Sequence, residues 1–323
     1  MTSHSPTELT FRVVPQYNEK PLKLFLRRHC EISAALMTAL KKNERGITVN
    51  GAHARVVDIV RTGDTVVLTL PEDHSEIPPA DLPCKVLYED AHVIAYDKPP
   101  FMTVHPVRGH QGDTLANAAA AYAMKKGESY SFRAVNRLDR DTSGIVLAAK
   151  NSFAASLLPQ SVEKTYIGVC EGEITQPGTI NKPIRLKPGH TIERETGEGG
   201  EPAVTHYEPI KCVGGRTLVK FKLETGRTHQ IRVHMASIGH PLEGDDMYSG
   251  KCSGDRSYTA AILSPEELKK AWEDYFSRTQ STKGEFVRQA LHCAKITFIH
   301  PVTKEKITII STLPFPVYTQ SYK

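Results

Sequence analysis

The stretch RAVNRLDRDTSGIVLAAK, residues 133–150, contains an aspartate in a setting where a carboxylate could act as a base or nucleophile. The run IVLAA is typical of a buried strand, and the residues from Asp141 to Gly144 predict a turn in which short polar side chains bond their own backbone. Asp139 would then lie on a tight loop at the entrance to a strand, where scaffolds commonly present catalytic groups. Alone, an aspartate between two arginines is more typical of a surface ion pair.

A pair of carboxylates is a second chemical interpretation of the same loop. Asp139 and Asp141 are two residues apart, and such a spacing can suit glycoside or nucleoside hydrolysis, in which two carboxylates divide the acid, base and nucleophile roles. An assay that detects a freed base would distinguish hydrolysis from a reaction that keeps the base attached.

The stretch ETGRTHQIRVHMASIGHPLEGDDMY, residues 224–248, predicts a helix that carries a functional arginine. Thr228 is the expected N-cap, and Gly239 is the expected end, with a proline shortly after it. Arg232 lies beside the apolar face of this helix, so we expect it to be partly buried and paired with a carboxylate, because an unpaired buried charge is costly. The alternative is that Arg232 extends its aliphatic stem and reaches water.

A third stretch, EKTYIGVCEG at residues 163–172, predicts a strand in which Tyr166 could point into a cleft, although most strand tyrosines serve packing. Further strand-like runs such as HVIAYDK, TLVKFKLE and KITFIH alternate with fewer helical stretches, among them TLANAAAAYAMKKG and PEELKKAWEDYF. This pattern predicts an α+β domain with a largely antiparallel mixed sheet, covering residues 84–323. The proline-rich, acidic segment before it predicts a linker at residues 76–83.

Residues 1–75 predict a small α/β module. Apolar residues at Leu22, Phe25 and Leu26 mark one helix, and Ser33 is the expected N-cap of a second. Strands with turns at Asn50-Gly51 and Gly63-Asp64 should follow. Residues 20–64 carry nine basic and four acidic side chains, so this segment alone accounts for the net charge of +5. The charge is consistent either with RNA binding or with a solvated face, and the candidate RNA-binding residues are Arg27, Arg28, Lys41, Lys42 and Arg45.

The motifs together resemble the RluA-type pseudouridine synthases. That family shows HRLDxxTSG, a K-x-Y strand, GR-[ST]-HQ-[LI]-R-x-H and GHPxxGD, and this chain has NRLDRDTSG, KTY, GRTHQIRVH and GHPLEGD in the same order. The resemblance also includes Lys98-Pro99, VHP at residues 104–106, RQALH at residues 288–292 and His300-Pro301, and so it spans residues 84–315. The helix pair with its VNG and GD turns resembles the S4-like RNA-binding domain, although Ser33-Ala34 stands where that domain commonly has Ser-Arg.

The resemblance implies the pseudouridine synthase fold and the isomerisation of uridine in a structured RNA. The N1–C1′ bond must break, the uracil must rotate and C5 must join C1′, so the base has to leave its stack. Asp139 is then the essential carboxylate, acting either as a nucleophile on the sugar or as a base that removes a sugar proton. Arg232 is its ion-pair partner, and Tyr166 stacks on the uracil and assists loss of the C5 proton. Arg137, Arg227 and His229 are the RNA-binding residues expected near the flipped nucleotide.

Two departures from the family pattern have different consequences. Asn136 stands where the family usually has histidine, but the carboxylate is untouched, so we expect activity to persist. Residues 249–287 look like a helical insertion. A binding-protein interpretation, in which the second domain is an inactive clamp, is disfavoured because Asp139, Tyr166 and Arg232 are all present.

Composition narrows the remaining possibilities. The sequence has no uninterrupted apolar run of membrane-spanning length and no secretory signal, so we expect a cytoplasmic protein. The six cysteines form no CxxC pair, and His229 and His234 are five residues apart, a poor spacing for two ligands on one helix face. We therefore expect no metal and, because the reaction is a redox-neutral isomerisation, no cofactor. The expected partner is RNA, with ribosomal RNA favoured over transfer RNA, and the expected oligomeric state is a monomer.

Overall fold

The computed structural model describes residues 7–71, 75–107, 109–250 and 288–314. Two hydrophobic clusters account for most of the buried apolar side chains. One consists of side chains between residues 9 and 70 together with Phe153. The other runs from Leu82 to Ile309. Among the described residues, no helix combines the length and apolar character needed to cross a membrane.

The N-terminal part contains the two predicted helices followed by the predicted strands, and two further strands precede the helices. Its helices are α1 (Leu22–Arg28) and α2 (Ala34–Leu40), and its strands are β1 (Glu8–Arg12), β2 (Lys20–Pro21), β3 (Ile47–Val49), β4 (Ala52–His53), β5 (Ile59–Val60) and β6 (Thr65–Thr69). Leu22, Phe25 and Leu26 are buried as the apolar spacing predicts. Ser33 caps α2 by accepting a hydrogen bond from the Leu36 N–H. The sheet order is β1-β6-β3-β4, and β2 pairs with β5.

The predicted turn at Asn50-Gly51 connects β3 to β4. Both residues have positive φ, 52° and 82°, a conformation that asparagine and glycine tolerate best. The Asn50 side chain also donates to Asp64 Oδ1 at 2.9 Å and accepts from the Thr65 N–H at 2.9 Å. One asparagine thus ties the two predicted turns together.

The larger part is built on a ten-stranded sheet. Its strands are β7 (Lys85–Glu89), β8 (Val93–Lys98), β9 (Arg133–Ala134), β10 (Ser143–Ala149), β11 (Glu163–Glu171), β12 (Gly178–Asn181), β15 (Val204–Val213), β16 (Arg216–Leu223), β17 (Leu291–Ile299) and β18 (Lys306–Ile310). Its order is β12-β15-β16-β11-β17-β10-β8-β7, with β9 on β10 and β18 on β17. Only β10 and β17 pair in parallel among these described strands, which confirms the predicted α+β class with a largely antiparallel mixed sheet.

A separate hairpin and three α-helices are also present among the described residues of this part. The hairpin pairs β13 (Ile184–Leu186) with β14 (Arg194–Thr196). The helices are α3 (Leu115–Lys125), α4 (Ser152–Leu157) and α5 (Gln230–Ala236). Thr114 and Asn117 form a reciprocal capping box at the start of α3, where the sequence predicts a helix. The predicted helix over PEELKKAWEDYF and residues 251–287 of the predicted insertion lie outside the described residues.

Two local predictions are wrong. Thr228 does not cap α5: the helix begins after His229, which has φ 58° and makes no side-chain cap. The side-chain oxygen of Gln230, Oε1, instead holds the segment before the helix, since it accepts from the Arg227 N–H at 3.0 Å and from the Thr225 hydroxyl at 2.9 Å. Gly239 has φ 84°, but the helix has already ended at Ala236.

The turn predicted over residues 141–144 lies earlier in the chain. Thr142 donates its N–H to the Asp139 carbonyl at 3.1 Å, so the turn spans residues 139–142. Ser143 and Gly144 already belong to β10 because they pair in parallel with His292 and Cys293 of β17. Asp139 therefore opens the turn itself.

Candidate active site

A cavity of about 520 Å³ opens where the turn before β10, strand β11 and the start of α5 meet. This volume falls in the range of small-ligand sites, and a single nucleotide belongs to that size class. Asp139, Tyr166 and Arg232 all line the cavity, as do Arg137, Arg227 and His229. The fold thus brings together three stretches that are far apart in the sequence.

Arg232 connects two carboxylates. Its Nε donates to Asp245 Oδ2 at 2.7 Å, and its Nη2 donates to Asp245 Oδ1 at 2.9 Å, so this pair is bidentate. The third group, Nη1, reaches Asp139 Oδ2 at 3.3 Å. Arg232 and Asp245 are buried, whereas the Asp139 side chain keeps 26% of its surface exposed. Asp139 is therefore the carboxylate of this bridge that a ligand can reach.

The electrostatics of the bridge keep Arg232 charged. Burial on its own would lower the pKa of Arg232, but the hydrogen bonds and charge of Asp245, together with the charge of Asp139, raise that pKa above its ordinary value. The guanidinium also lies over the ring of Tyr248, with 5.0 Å from its central carbon to the ring centroid. Asp245 and the ring of Tyr248 thus hold the guanidinium in place, and its Nη1 group donates to Asp139.

Tyr166 lies in β11 opposite Phe221 of β16 and Cys293 of β17. The side chain is buried, and burial raises the pKa of its phenol well above the ordinary value, with the Cys293 thiol and the Asp139 charge adding to the increase. The phenol therefore stays neutral at physiological pH. A neutral ring at the cavity wall offers a stacking face, and its hydroxyl is a poor general base in this state.

His229 lies inside the cavity rather than at its rim. Its Nδ1 is 2.7 Å from the Tyr248 hydroxyl, and its Nε2 is 3.9 Å from Asp139 Oδ2. Burial lowers the pKa of His229, and Arg232 and Arg194 lower it further, although Asp139 and Asp245 oppose them. The imidazole is therefore neutral at neutral pH.

Two buried cations hold the turn that carries Asp139. Lys98 donates its Nζ to the carbonyls of Pro99 at 2.9 Å, Met102 at 2.8 Å and Arg140 at 3.0 Å. Arg288 donates its Nη1 to the Asp141 carbonyl at 3.0 Å. Burial lowers the pKa of Lys98 to about 7, against the opposing charge of Asp141. Since both cations bind carbonyls directly after Asp139, they fix its backbone.

Asp141 and Asn136 have structural surroundings. Asp141 does not line the cavity, and burial raises its pKa although Arg140 and Lys98 oppose the shift. Asn136, which replaces the family's histidine, donates to the Ile145 carbonyl at 3.0 Å and accepts from the Leu147 N–H at 2.9 Å. Its amide thus binds the loop to β10 in the manner of a neighbouring strand.

The charged side chains that line the cavity are mostly basic. Arg137, Arg140, Lys164 and Arg227 line it in addition to Arg232, whereas Asp139 is the acidic side chain of this lining. Arg227 is held by the Pro202 carbonyl at 3.1 Å and by Glu201 at 3.4 Å. The N-terminal candidates Arg27, Arg28, Lys41, Lys42 and Arg45 are exposed and do not line the cavity. Arg27 donates to the Ile32 carbonyl at 2.6 Å and so also stabilises the end of α1.

No metal centre is evident in the part of the chain that the structure describes. Within those residues there is no group of three or more histidine, cysteine, aspartate or glutamate side chains that could hold a metal ion.

Comparisons with known proteins identify the family and the fold of this chain. Residues 92–237 match the family model described as RNA pseudouridylate synthase. The RNA pseudouridine synthase YjbO of Bacillus subtilis is 36% identical over 88% of this chain and 92% of its own length. The ribosomal large subunit pseudouridine synthase D of Pseudomonas aeruginosa is 35% identical over 83% of this chain and 80% of its own. The structure of human RNA pseudouridylate synthase domain containing 1 shares the fold, with a TM-score of 0.50 at 22% identity, covering 74% and 86% of the two chains.

The fold, with its cavity at the entrance to β10, and these relatives define an isomerase that acts on RNA. The chain belongs to the RluA-type family of RNA pseudouridine synthases.

Several residues of the site are not identified from the sequence as functional. Asp245 and Lys98 fall within motifs of the family pattern, but the sequence does not indicate which groups they contact. Arg288 also falls in such a motif. Tyr248 lies beyond them, three residues after Asp245, and nothing in the local sequence indicates that its hydroxyl meets His229.

Proposed function

We propose that this enzyme isomerises uridine in a structured RNA, with Asp139 as the essential carboxylate, Arg232 as the residue that orients it and Tyr166 as the stacking partner of the flipped uracil. The observation that carries the proposal is the bridge from Asp245 through Arg232 to the exposed carboxylate of Asp139. A carboxylate that is hydrogen-bonded to a buried, fixed guanidinium keeps its direction. Either action on the sugar, as nucleophile or as base, needs a carboxylate oxygen that is held in one orientation.

The basic lining of the cavity supports RNA as the bound polymer. The cavity is lined by the basic side chains of Arg137, Arg227 and Lys164 and by the acidic side chain of Asp139. The positive electrostatic potential of these basic groups attracts phosphates and repels solvent cations from the carboxylate. Arg227 keeps 35% of its side chain exposed, enough to reach a phosphate beside the flipped nucleotide.

The RNA we propose is large-subunit ribosomal RNA. The relatives from Pseudomonas, Xanthomonas and Xylella are named ribosomal large subunit pseudouridine synthase D and are 33–35% identical to this chain over 82–83% of its length. The exposed basic side chains of the N-terminal S4-like part, residues 1–75, would add a sequence-independent grip on the same RNA.

Replacing Asp139 by asparagine tests the catalytic assignment, because the exchange keeps size and removes charge. We expect Asp139→Asn to bind substrate RNA about as well as the unmodified enzyme but to form no pseudouridine, since a group used in the transition state contributes to rate more than to binding. Asp141→Asn is the matched control. Burial already disfavours its charge, so substantial activity should remain. Chemical labelling of pseudouridine in the treated RNA provides the readout, and normal product from Asp139→Asn would refute the assignment.

The target is tested separately. Pseudouridine mapping of total RNA from cells with and without this protein should lose signals in large-subunit ribosomal RNA. Loss confined to transfer RNA would leave the enzyme assignment in place and overturn the proposed substrate.

A further inference from the structure

His229 has a left-handed backbone conformation, which a simple contact with RNA would not require. Its φ of 58° and ψ of 18° are left-handed values, which are strained for a residue other than glycine. The strained residue lies directly before α5 and directs its ring into the cavity, where its side chain is 8% exposed. Strain of this kind is retained where the surrounding contacts require a particular side-chain direction.

The contacts of the ring determine its tautomer. The Tyr248 oxygen accepts a hydrogen bond from the Arg194 N–H at 3.0 Å, so its own O–H is available to donate. Among the described residues the acceptor for that O–H is His229 Nδ1 at 2.7 Å. A neutral imidazole that accepts at Nδ1 carries its proton on Nε2. That Nε2–H faces Asp139 Oδ2 at 3.9 Å.

We propose that His229 is a positioning residue for Asp139: held by Tyr248 as the Nε2–H tautomer, it acts with Arg232 on the Oδ2 atom and leaves Oδ1 free to act on the sugar. Both contacts fall on the same carboxylate oxygen, at 3.3 Å from Arg232 and 3.9 Å from His229. Contacts of catalytic groups commonly shorten when substrate closes the site. The His229 contact reaches hydrogen-bond length in that state.

A neutral donor suits this position better than a second cation. The groups facing the ring are Asp139, Arg232, Asp245, Arg194 and Tyr248. An imidazolium would place a second positive charge beside Arg232, which the buried surroundings of the ring disfavour. The hydrogen bond from Tyr248 opposes protonation because it occupies the nitrogen that would take up the proton.

Three variants distinguish a positioning role of His229 from a purely structural one: His229→Ala, His229→Gln and Tyr248→Phe. The assay measures release of tritium from RNA labelled at uracil C5, which gives kcat and KM across pH. His229→Ala should lower kcat by about tenfold to a hundredfold with little change in KM, as expected for a misplaced catalytic group. His229→Gln should recover part of that loss, because its amide can donate the same hydrogen bond without titrating.

Tyr248→Phe keeps the ring under Arg232 and removes only the hydroxyl. The free Nδ1 should then take up a proton more readily, so the acid limb of kcat should move to higher pH. That limb should be absent in His229→Gln. The control is His206→Gln, an exposed histidine paired with Glu224, which should reproduce the unmodified profile.

The proposal is overturned if His229→Ala raises KM and leaves kcat unchanged, since the residue would then be an RNA contact. It is also overturned if the Tyr248→Phe profile coincides with that of the unmodified enzyme. The inference rests on Asp139 being the catalytic carboxylate, so Asp139→Asn is measured in the same assay. An active Asp139→Asn would refute the proposed function, whereas an inactive one beside a fully active His229→Ala would refute only the role of His229.

Discussion

The buried charge of Arg232 is paired with one carboxylate and also orients a second one. Its bidentate pair with Asp245 compensates the burial of the guanidinium, and the remaining N–H group is directed at Asp139. The bidentate pair with one carboxylate and a third N–H directed at another use the planar fork of arginine, whose donors point in fixed directions, whereas an ammonium group is a compact point of charge. The role of the residue thus depends on its shape as well as its charge.

We expect Arg232→Lys to lower kcat by at least about tenfold while RNA affinity changes little, because lysine cannot form the bidentate pair with Asp245 and at the same time direct a donor at Asp139 in the same geometry. Arg227→Lys is the matched control, since an arginine that we propose to bind phosphate can be replaced by another cation with a smaller effect. The comparison is made by steady-state kinetics and RNA binding on both variants. Full activity in Arg232→Lys would mean that the bridge has no catalytic importance.

The sequence predicts one of the two carboxylate contacts of Arg232. Motif resemblance and the helical spacing indicate that Arg232 needs a carboxylate, and the structure brings it within 3.3 Å of Asp139. The stronger contact with Asp245 is not predicted, because it depends on how the loop after α5 folds back onto the helix. Contacts between loops are set by tertiary packing and leave no periodic signal in the sequence.

At the scale of elements, the parallel pairing of β10 with β17 fixes the turn that holds Asp139. Gly144 has φ 113°, and a Cβ at this position would lie 2.4 Å from the Cys293 carbonyl oxygen and 2.6 Å from its nitrogen. No rotation of a side chain can relieve contacts with backbone atoms. The two strands can therefore approach here only because residue 144 is glycine.

We expect Gly144→Ala to lower the free energy of unfolding by about 2 kcal/mol or more and to reduce kcat, because β10 must shift and carries the turn with it. Gly127→Ala is the matched control. Gly127 also has positive φ, 69°, but a Cβ there meets nothing within 4 Å, so only backbone strain is added. Denaturant unfolding and the kinetic assay provide the measurements. Equal effects of the two substitutions would contradict the role given to the strand contact.

A buried hydrogen-bond chain crosses the same pair of strands. Arg288 donates to the Ser143 hydroxyl at 2.7 Å, which donates to His292 Nδ1 at 2.9 Å. His292 Nε2–H then donates to Ser311 at 3.0 Å, and Ser311 donates to Asp97 at 2.8 Å. This chain requires a neutral imidazole, and burial lowers the pKa of His292 to about 3, with Arg288 and Lys98 contributing.

The low pKa of His292 predicts a sign for the pH dependence of stability. The unfolded chain takes up a proton near pH 6.5 and the folded chain only near pH 3, so stability is present above pH 6.5 and is lost as pH falls between these values. This group should contribute up to about 1.4 kcal/mol per pH unit. His292→Gln cannot titrate, so its free energy of unfolding, measured by denaturant at pH 7, 6 and 5, should fall less steeply. Parallel slopes in the two proteins would show that His292 is protonated in the folded state.

In the part of the chain that the structure describes, the sequence predicts the types and order of most elements better than their local geometry. Helices α1, α2 and α3 and the strand containing Tyr166 follow from apolar spacing and capping residues. The start of α5 and the limits of the turn before β10 were wrong, since both depend on contacts made by distant strands. The N-terminal part also packs Phe11 against Phe153 of α4, with ring centroids 6.4 Å apart, a contact that no local pattern indicates.

That contact determines how the RNA-binding role of the N-terminal part should be tested in the whole molecule. Deleting residues 1–75 should weaken RNA binding and flatten its dependence on salt, but the deletion also uncovers Phe153. Charge substitutions in the intact chain avoid this side effect. Arg28, Lys41, Lys42 and Arg45 are exposed, and changing all four to glutamine removes charge without removing core residues.

We expect this quadruple variant to bind RNA more weakly and with a shallower plot of log affinity against log salt concentration, by roughly 0.7 to 0.9 per lost phosphate contact. The matched control changes Lys85, Lys125, Lys295 and Lys306 to glutamine, four exposed lysines of the larger part. It has the same net charge as the test variant, so a general field effect would change both proteins equally. A slope that falls only in the N-terminal variant locates phosphate contacts there. If the two slopes are equal, the basic residues of the N-terminal part form a solvated face, and the RNA is held by the larger part alone.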